Sequence, residues 1–405
     1  MEHGIYMDHA ATSMDQPPCV AAAVAEAIAG FGNPERGAYE ASLLAARTMF
    51  QARLAVSALF HAEGPECTAF SLNSTQALNT AILGTAQAGD SLITTVCEHN
   101  SVLRPAYAAE KRGVKLVIAG ADPEGRIDFD ALEAAAGAEA DRLAAARRGN
   151  PGSAGKLILA VTHGSNLTGN VTDLARAAGL HRRYDALWIM DASQTAGVLP
   201  IDMQQYGIDI VCFTGHKALM GPQGTGGLVV RRGIDVRPLL SGGSGIGTFR
   251  KEMPEDMPER LEAGTQNAQG IAGLLAALRY AEGKRETFLA NENALRVQLL
   301  AGIARLNEAA GGDPERTIRV YGAQQDSPHL AIVPFNIGSM DSGRIADLLA
   351  TEYGIAVRAG GHCAPLMHWH FHTETQGMVR VSLSHSNTAE EVETLLGALA
   401  EITAE

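Results

Sequence analysis

The sequence predicts an α/β protein: a large domain with a mostly parallel sheet and helices on both faces, followed by a smaller α+β domain. Three observations carry this. Between residues 65 and 230, short apolar runs alternate with helix-length, alanine-rich segments. From about residue 286 the pattern changes to one long helix and sparser strands. At 405 residues the chain is also longer than one core usually supports. The division falls at residues 17–285 for the large domain. Residues 1–16 join 286–405 in the small one.

Taken in order, residues 18–29 and 40–60 read as helices. Residues 67–72 read as a strand, with a helix from about Thr75. Further strands are expected at 91–96, 114–118, 157–161, 187–190, 208–213 and 227–230. Residues 131–149 read as a peripheral alanine-rich helix, with a polar loop at 150–155. In the small domain, strands are expected around 331–337 and 355–358, with a closing helix from Thr388. The extreme N-terminus is expected to pack on that domain or to line the cleft. In such sheets, ligands bind beyond the carboxyl ends of the strands.

Composition excludes several function classes. With 32 basic and 45 acidic side chains the net charge is −13, which argues against a nucleic-acid grip. The longest apolar runs are strand-length, so no membrane span is expected. The start, Met1-Glu2-His3-Gly4, lacks the basic and apolar regions of an export signal. Five scattered cysteines without a CxxC suit a reducing cytoplasm and give no disulfide or zinc framework.

The chemistry begins at Thr214-Gly215-His216-Lys217. A lysine directly after an apolar strand needs a reason, because lysine prefers solvent. It is either an imine-forming lysine that holds pyridoxal phosphate (PLP), or a strand-end lysine that snorkels to water. Asp191 ends another strand. Against a pyridine nitrogen its carboxylate would keep the ring protonated; otherwise it is a helix N-cap. Gln194 could bond a ring hydroxyl or complete a capping box. Ser74 and Thr75 sit at a strand-to-helix turn, a ready phosphate cradle or a plain N-cap. His99 could stack on a cofactor ring and shuttle protons, or be structural.

Cys363 lies in Arg358-Ala359-Gly360-Gly361-His362-Cys363-Ala364-Pro365. Its glycine-rich, polar setting, with Arg358 and His362 nearby, fits a nucleophilic thiol better than a buried hydrophobe. Cys19, Cys67, Cys97 and Cys212 fit the buried role. Arg380 alternates like a strand residue and could clamp a carboxylate or form a structural ion pair. His368, His370 and His372 would share one face of a strand, but no other ligand cluster accompanies them, so a surface or cleft-edge loop is expected and no metal.

The order of these motifs resembles the class V, fold-type I PLP enzymes, and within them the cysteine desulfurase/selenocysteine lyase family. The resemblance runs from Asp8-His9-Ala10-Ala11-Thr12 through Gly32-Asn33-Pro34-Glu35-Arg36-Gly37, Asn73-Ser74-Thr75, Glu98-His99 and His163-Gly164-Ser165-Asn166. It continues through Asp191–Gln194, Thr214–Lys217, Glu262–Asn267 and the Cys363 loop to Arg380. It implies a three-layer PLP-transferase-like large domain. It implies that Lys217 carries PLP as an imine, that Asp191 pairs with the ring nitrogen, that Gln194 bonds the ring hydroxyl and that His99 stacks on the ring. Ser74, Thr75, Thr214 and His216 would bind the phosphate. Thr265 would reach the phosphate in a partner subunit, which implies a homodimer. Asn166 lies at both cofactor and substrate; Arg358 and Arg380 would hold the substrate, with Arg380 on its carboxylate. Cys363 would take sulfur from L-cysteine as a persulfide, release L-alanine, and pass the sulfur to an acceptor protein. Selenocysteine lysis, or another class V activity such as transamination with Cys363 incidental, stays open. So do the departures at His9, Asn100, Gly361 and the His368–His372 run.

Overall fold

The computed structural model describes residues 4–14, 16–34, 37–149, 155–322 and 328–404. Glu35 and Arg36 of the quoted motif, and residues 150–154 of the expected polar loop, lie outside them.

Seven strands form the central sheet: β1 (Thr68–Ser71), β2 (Ser91–Thr95), β3 (Lys115–Ala119), β4 (Leu157–Thr162), β5 (Leu187–Asp191), β6 (Ile210–Thr214) and β7 (Gly226–Val230). Their spatial order is β1-β7-β6-β5-β4-β2-β3. β7 runs antiparallel to both neighbours, and the remaining pairs are parallel. Along β4, Leu157, Leu159 and Val161 enter one core, while Ile158 and Ala160 enter the other. That is the period of two expected of a strand. Helices Glu40–Leu59, Phe129–Gly149, Leu174–Tyr184 and Ala268–Ala281 cover the first face. Helices Ser74–Thr85 and Asn100–Glu110 cover the second. Burial on both faces explains why the strands read as unbroken apolar runs.

One expected element is more central than the sequence implied. The helix Phe129–Gly149 is not peripheral: its Phe129, Leu132, Ala136 and Leu143 belong to the first core. Its alanines keep it low-profile, but one face packs directly on the sheet.

A second sheet follows: β8 (Ile318–Val320), β9 (Ile332–Ile337), β10 (Arg358–Gly360) and β11 (Met378–Ser382), all antiparallel, in the order β10-β11-β9-β8. Helices Arg285–Ala309, Ser342–Tyr353 and Ala389–Ile402 pack on it. Thr388 starts the last helix with a reciprocal capping box to Glu391. The N-terminus does both things expected of it. Ile5–Tyr6 pairs with Ile355–Ala356 and Met7 enters the small core, while Ala10 and Ala11 reach the cleft.

The single strand expected at 355–358 is therefore two. Ile355–Ala356 pairs with the N-terminus, and Arg358 opens β10 against β11. The histidine run, expected in a surface or cleft-edge loop, is helical: Pro365–Phe371 is a helix with proline at its first position and His372 left-handed at its end. His368 is buried there and bonds Thr373 Oγ1 through Nδ1 at 2.8 Å. Among the described residues no cluster of metal-ligating side chains forms. Cys19 is exposed, against expectation; Cys67, Cys97 and Cys212 are buried as expected. No helix among the described residues is long and apolar enough to cross a membrane.

Candidate active site

The carboxyl ends of β1, β2, β4, β5 and β6 converge on one cleft, closed on the far side by β10 and β11. Ser74, Thr75, His99, Asn166, Asp191, Gln194, His216, Lys217, Arg358, Cys363 and Arg380 all line it, around a cavity of about 250 Å³. The topology thus gathers residues spread over more than three hundred positions.

One end of the cleft is built for an anion. Asn73, not Ser74 or Thr75, is the N-cap of its helix, with Oδ1 accepting from Gln76 N–H at 3.0 Å. Ser74 and Thr75 are therefore the first helical residues, and their N–H groups have no acceptor within the helix. Thr75 Oγ1 bonds Ser101 Oγ at 2.7 Å, and Ser101 in turn holds His99. Ser101 N–H donates to His99 Nδ1 at 3.0 Å, which leaves the ring proton on Nε2. Burial pulls His99 down to about 4 against the opposing pull of Asp191, so the imidazole is neutral near pH 7.

Asp191 and Lys217 occupy the floor. Asp191 is buried and accepts from the N–H and hydroxyl of Ser193. Lys217 follows β6 through Gly215, where a Cβ would collide with Thr225 Oγ1. The bare backbone lets the chain turn there and aim the lysine into the cleft. Burial brings the Lys217 ammonium down from 10.5 to about 8; Asp191 opposes this, while Arg380 and Arg358 add to it. A sizeable fraction of free amine is thus present at mildly alkaline pH. His216 binds the N-terminal segment, with Nδ1 3.1 Å from Thr12 Oγ1 and its carbonyl accepting from Ser13 N–H at 2.9 Å. Gln194 Nε2 donates to the Ala10 carbonyl at 3.0 Å.

The opposite wall carries the thiol. Cys363 is exposed at the tip of its loop, with φ +55°, and His362 before it has φ +46°. Two successive left-handed non-glycine residues are costly, and such strain clusters at functional sites. Arg380 is 2% exposed. Its Nη1 donates to the Asn166 carbonyl and its Nη2 to Asp8 Oδ1, each at 2.8 Å, while its buried Nε has no partner. The arginine is thus ion-paired, one of the two readings made from the sequence, and it lines the same cleft as Lys217. Arg358 stands directly across from it in the β10–β11 register and is exposed.

The aminotransferase class-V family model matches residues 5–395. The chain belongs to the aminotransferase class-V family. A probable cysteine desulfurase of Methanothermobacter thermautotrophicus is 32% identical over 412 aligned residues, covering 98% of this chain and 94% of its own. The apo structure of a cysteine desulfurase from Thermococcus onnurineus NA1 is 28% identical, with a TM-score of 0.85 over 99% of this chain and 95% of that one. The cysteine desulfurase CsdA of Escherichia coli, solved as an S-sulfonic acid, is 27% identical with a TM-score of 0.79, over 99% and 94%.

Within this class-V cleft two residues named from the sequence stand apart. Thr214 does not line it; its hydroxyl is buried at the end of β6 without a partner. Thr265 is exposed and away from the cleft. Sequence reasoning passed over Asp8, Ser101 and Ser193 as individual site residues. Ser101 and Ser193 each follow a chosen residue by two positions, a spacing that favours local side-chain bonds and could have flagged them. Nothing local flags Asp8 as the partner of Arg380.

Proposed function

We propose that this chain is a PLP-dependent cysteine desulfurase, converting L-cysteine to L-alanine with the sulfur carried on Cys363 as a persulfide. The observation that carries the reading is the common cavity of Lys217, Asp191 and Cys363. The desulfurases named above, similar along nearly their whole length, support it. The residues present fit the cofactor. Ser74 and Thr75 line the cleft and offer free N–H groups, so a phosphate has donors. Asp191 matches a pyridinium nitrogen, Gln194 a ring hydroxyl, neutral His99 a ring face and Lys217 an aldehyde; His216 completes the phosphate end. On this reading residues 17–285 are the cofactor-binding domain, and residues 1–16 with 286–405 carry the Cys363 loop.

When bound, the cofactor supplies an electron sink that weakens bonds around the substrate α-carbon. The chain supplies the rest. Arg380 and Arg358 hold the substrate carboxylate. Lys217, with its lowered affinity for protons, gives and takes protons at neutral pH. His99 presents Nε2–H to the cleft. The Cys363 thiolate attacks the substrate sulfur: an S–S bond forms, the Cβ–S bond breaks, and the carbon keeps the electron pair and takes a proton. Alanine leaves, and the persulfide is emptied by a thiol or an acceptor protein. Such turnover needs a reduced Cys363, which fits a reducing cytoplasm.

The test is alanine release from cysteine by native protein and Cys363→Ala. We expect the variant to keep the absorbance of bound PLP and lose alanine formation. Native-rate alanine from the variant would sink the persulfide route. Amino transfer to pyruvate would favour a transaminase instead, and release of selenium by Cys363→Ala would favour selenocysteine.

The reading includes a homodimer. Phe249 is fully exposed, and Leu239, Leu240 and Ile246, which precede it in the chain, are about half exposed. A groove lined by Phe50, Ile246, Glu262 and Gln266 joins this apolar stretch to the Thr265 segment. Sedimentation of Phe249→Glu should detect monomer where the native protein is a dimer; equal masses would remove the surface from the dimer contact.

A further inference from the structure

The Cys363 loop and the carboxylate-binding arginine meet at a single residue. Asn166 sits in a tight turn after β4. Ser165 holds that turn: its Oγ accepts from the N–H groups of Leu167 and Thr168, and its carbonyl accepts from Gly169 N–H. The main-chain carbonyl of Asn166 accepts from Arg380 Nη1 at 2.8 Å. Its side-chain Nδ2 donates to the carbonyl of His362, also at 2.8 Å. The neighbouring Leu167 is completely buried in a small apolar cluster with Ala364, Met367 and Phe371, the residues that follow Cys363. The loop therefore rests on this turn through one polar bond and one apolar contact.

The strain in the loop gives that polar bond a purpose. His362 and Cys363 both hold left-handed backbone, which is unfavourable for a residue that bears a side chain. Such a conformation persists only where surrounding contacts over-determine it. Asn166 Nδ2 fixes the His362 carbonyl, and the Asn100 N–H fixes that of Cys363. Asn166 is itself 7% exposed and has little room to turn elsewhere.

We propose that Asn166 is a positioning residue that couples Arg380 to the Cys363 loop, so that a carboxylate taken up by Arg380 steadies the thiol facing it. The inference rests on the desulfurase reading for its catalytic consequence, but the mechanical coupling stands apart from it. To the direct contact with cofactor and substrate that family resemblance implies for Asn166, it adds a bond from the amide nitrogen to the protein.

The test replaces Asn166 with Ala in the PLP-loaded full chain and reads two quantities. Hydrogen exchange across residues 360–371, followed by mass spectrometry, should accelerate about tenfold, the effect of losing one bond of ordinary strength. Saturating L-alanine should slow that exchange in the native protein and leave the variant unchanged. In kinetics, kcat should fall about tenfold while KM for cysteine stays within about threefold, the signature of lost positioning without lost binding. A KM rise of tenfold or more with native loop exchange would overturn the proposal and leave Asn166 with direct substrate contact alone. Maleimide labelling guards against misfolding, because Cys67, Cys97 and Cys212 are buried and react only if the core opens. Should they react, Asn166→Ser is read by the same criteria. Alanine formation by Cys363→Ala would reject the desulfurase reading and leave the exchange result standing.

Discussion

The backbone N–H of Asn100 donates to the carbonyl of Cys363 at 2.8 Å, tying the thiol loop of the small sheet to the first residue of a helix on the large one. A first-turn N–H has no acceptor within its own helix, so this bond costs the helix nothing. Proline is well tolerated at that position, and His99 before it, at φ −69° and ψ 154°, already has the backbone that a following proline requires. Asn100→Pro is thus expected to delete the tie and keep the helix. Urea unfolding should move by no more than about 1.5 kcal/mol. Alanine formation from cysteine should fall about tenfold. An unchanged rate would mean that the thiol does not need this anchor.

Lys217 offers a pH prediction. Its amine titrates near 8 and not 10.5, because burial disfavours the ammonium and Arg380 and Arg358 repel it. Only the free amine captures an aldehyde. The rate at which PLP-stripped protein takes up added PLP, followed by absorbance, should rise through a midpoint near pH 8. Removing one repelling charge with Arg380→Met should move that midpoint upward. A downward shift or none would mean that the arginine charge does not reach the lysine.

How much of this was legible in the sequence follows from what each residue depends on. The strands of the large sheet are covered on both faces, so they appear as apolar runs that need no context. Lys217, Asp191 and His99 sit just past such runs, where local pattern and topology agree. A loop was expected where the helix Pro365–Phe371 forms, because the alternation of His368, His370 and His372 carries no helical period, while the segment is held by Leu366, Met367 and Phe371, buried in part against Leu167 some two hundred positions earlier. β8 escaped because it is three residues long with only Ile318 fully buried. The Asp8–Arg380 pair joins residues 372 positions apart, and no local spacing encodes such a contact.

Glu98 should make stability depend on pH. It is completely buried in the turn before His99; Oε1 accepts from Thr95 Oγ1 at 2.7 Å and Thr162 N–H at 3.1 Å, while Oε2 has no partner. Burial pushes its carboxyl up to about 8, from 4.5. Between those values the folded protein keeps a proton that the unfolded chain releases, so stability falls as pH rises through that window. Buried Glu292, also raised to about 8, acts in the same sense. Glu98→Gln keeps the shape and cannot ionise. Its urea midpoint should drop less between pH 5 and 8 than that of the native protein. Parallel profiles would mean that Glu98 is already ionised in the fold.

Glu262 tests the anchorage of the segment that carries Thr265. Its carboxylate takes Arg53 through two bonds of 2.7 Å and the backbone N–H of Phe70, in β1, at 2.6 Å. Arg53 also donates to the Thr68 carbonyl at 2.6 Å and lies 4.8 Å from the centre of the Phe70 ring. Glu262 is 7% exposed and Arg53 12%, so neither charge is well hydrated. Truncating one partner of such a pair leaves the other buried and unmatched, at a cost of about 3 kcal/mol. Glu262→Ala should lose roughly that much in urea unfolding, because the Phe70 N–H is orphaned as well. Arg53→Met with Glu262→Leu removes both charges together and should recover part of the loss. If the double variant is as unstable as the single one, the cost lies in the lost bond to β1 and not in the stranded arginine. The same variants report on assembly: a loosened Thr265 segment should weaken the proposed dimer, so sedimentation should detect monomer at concentrations where the native protein stays paired.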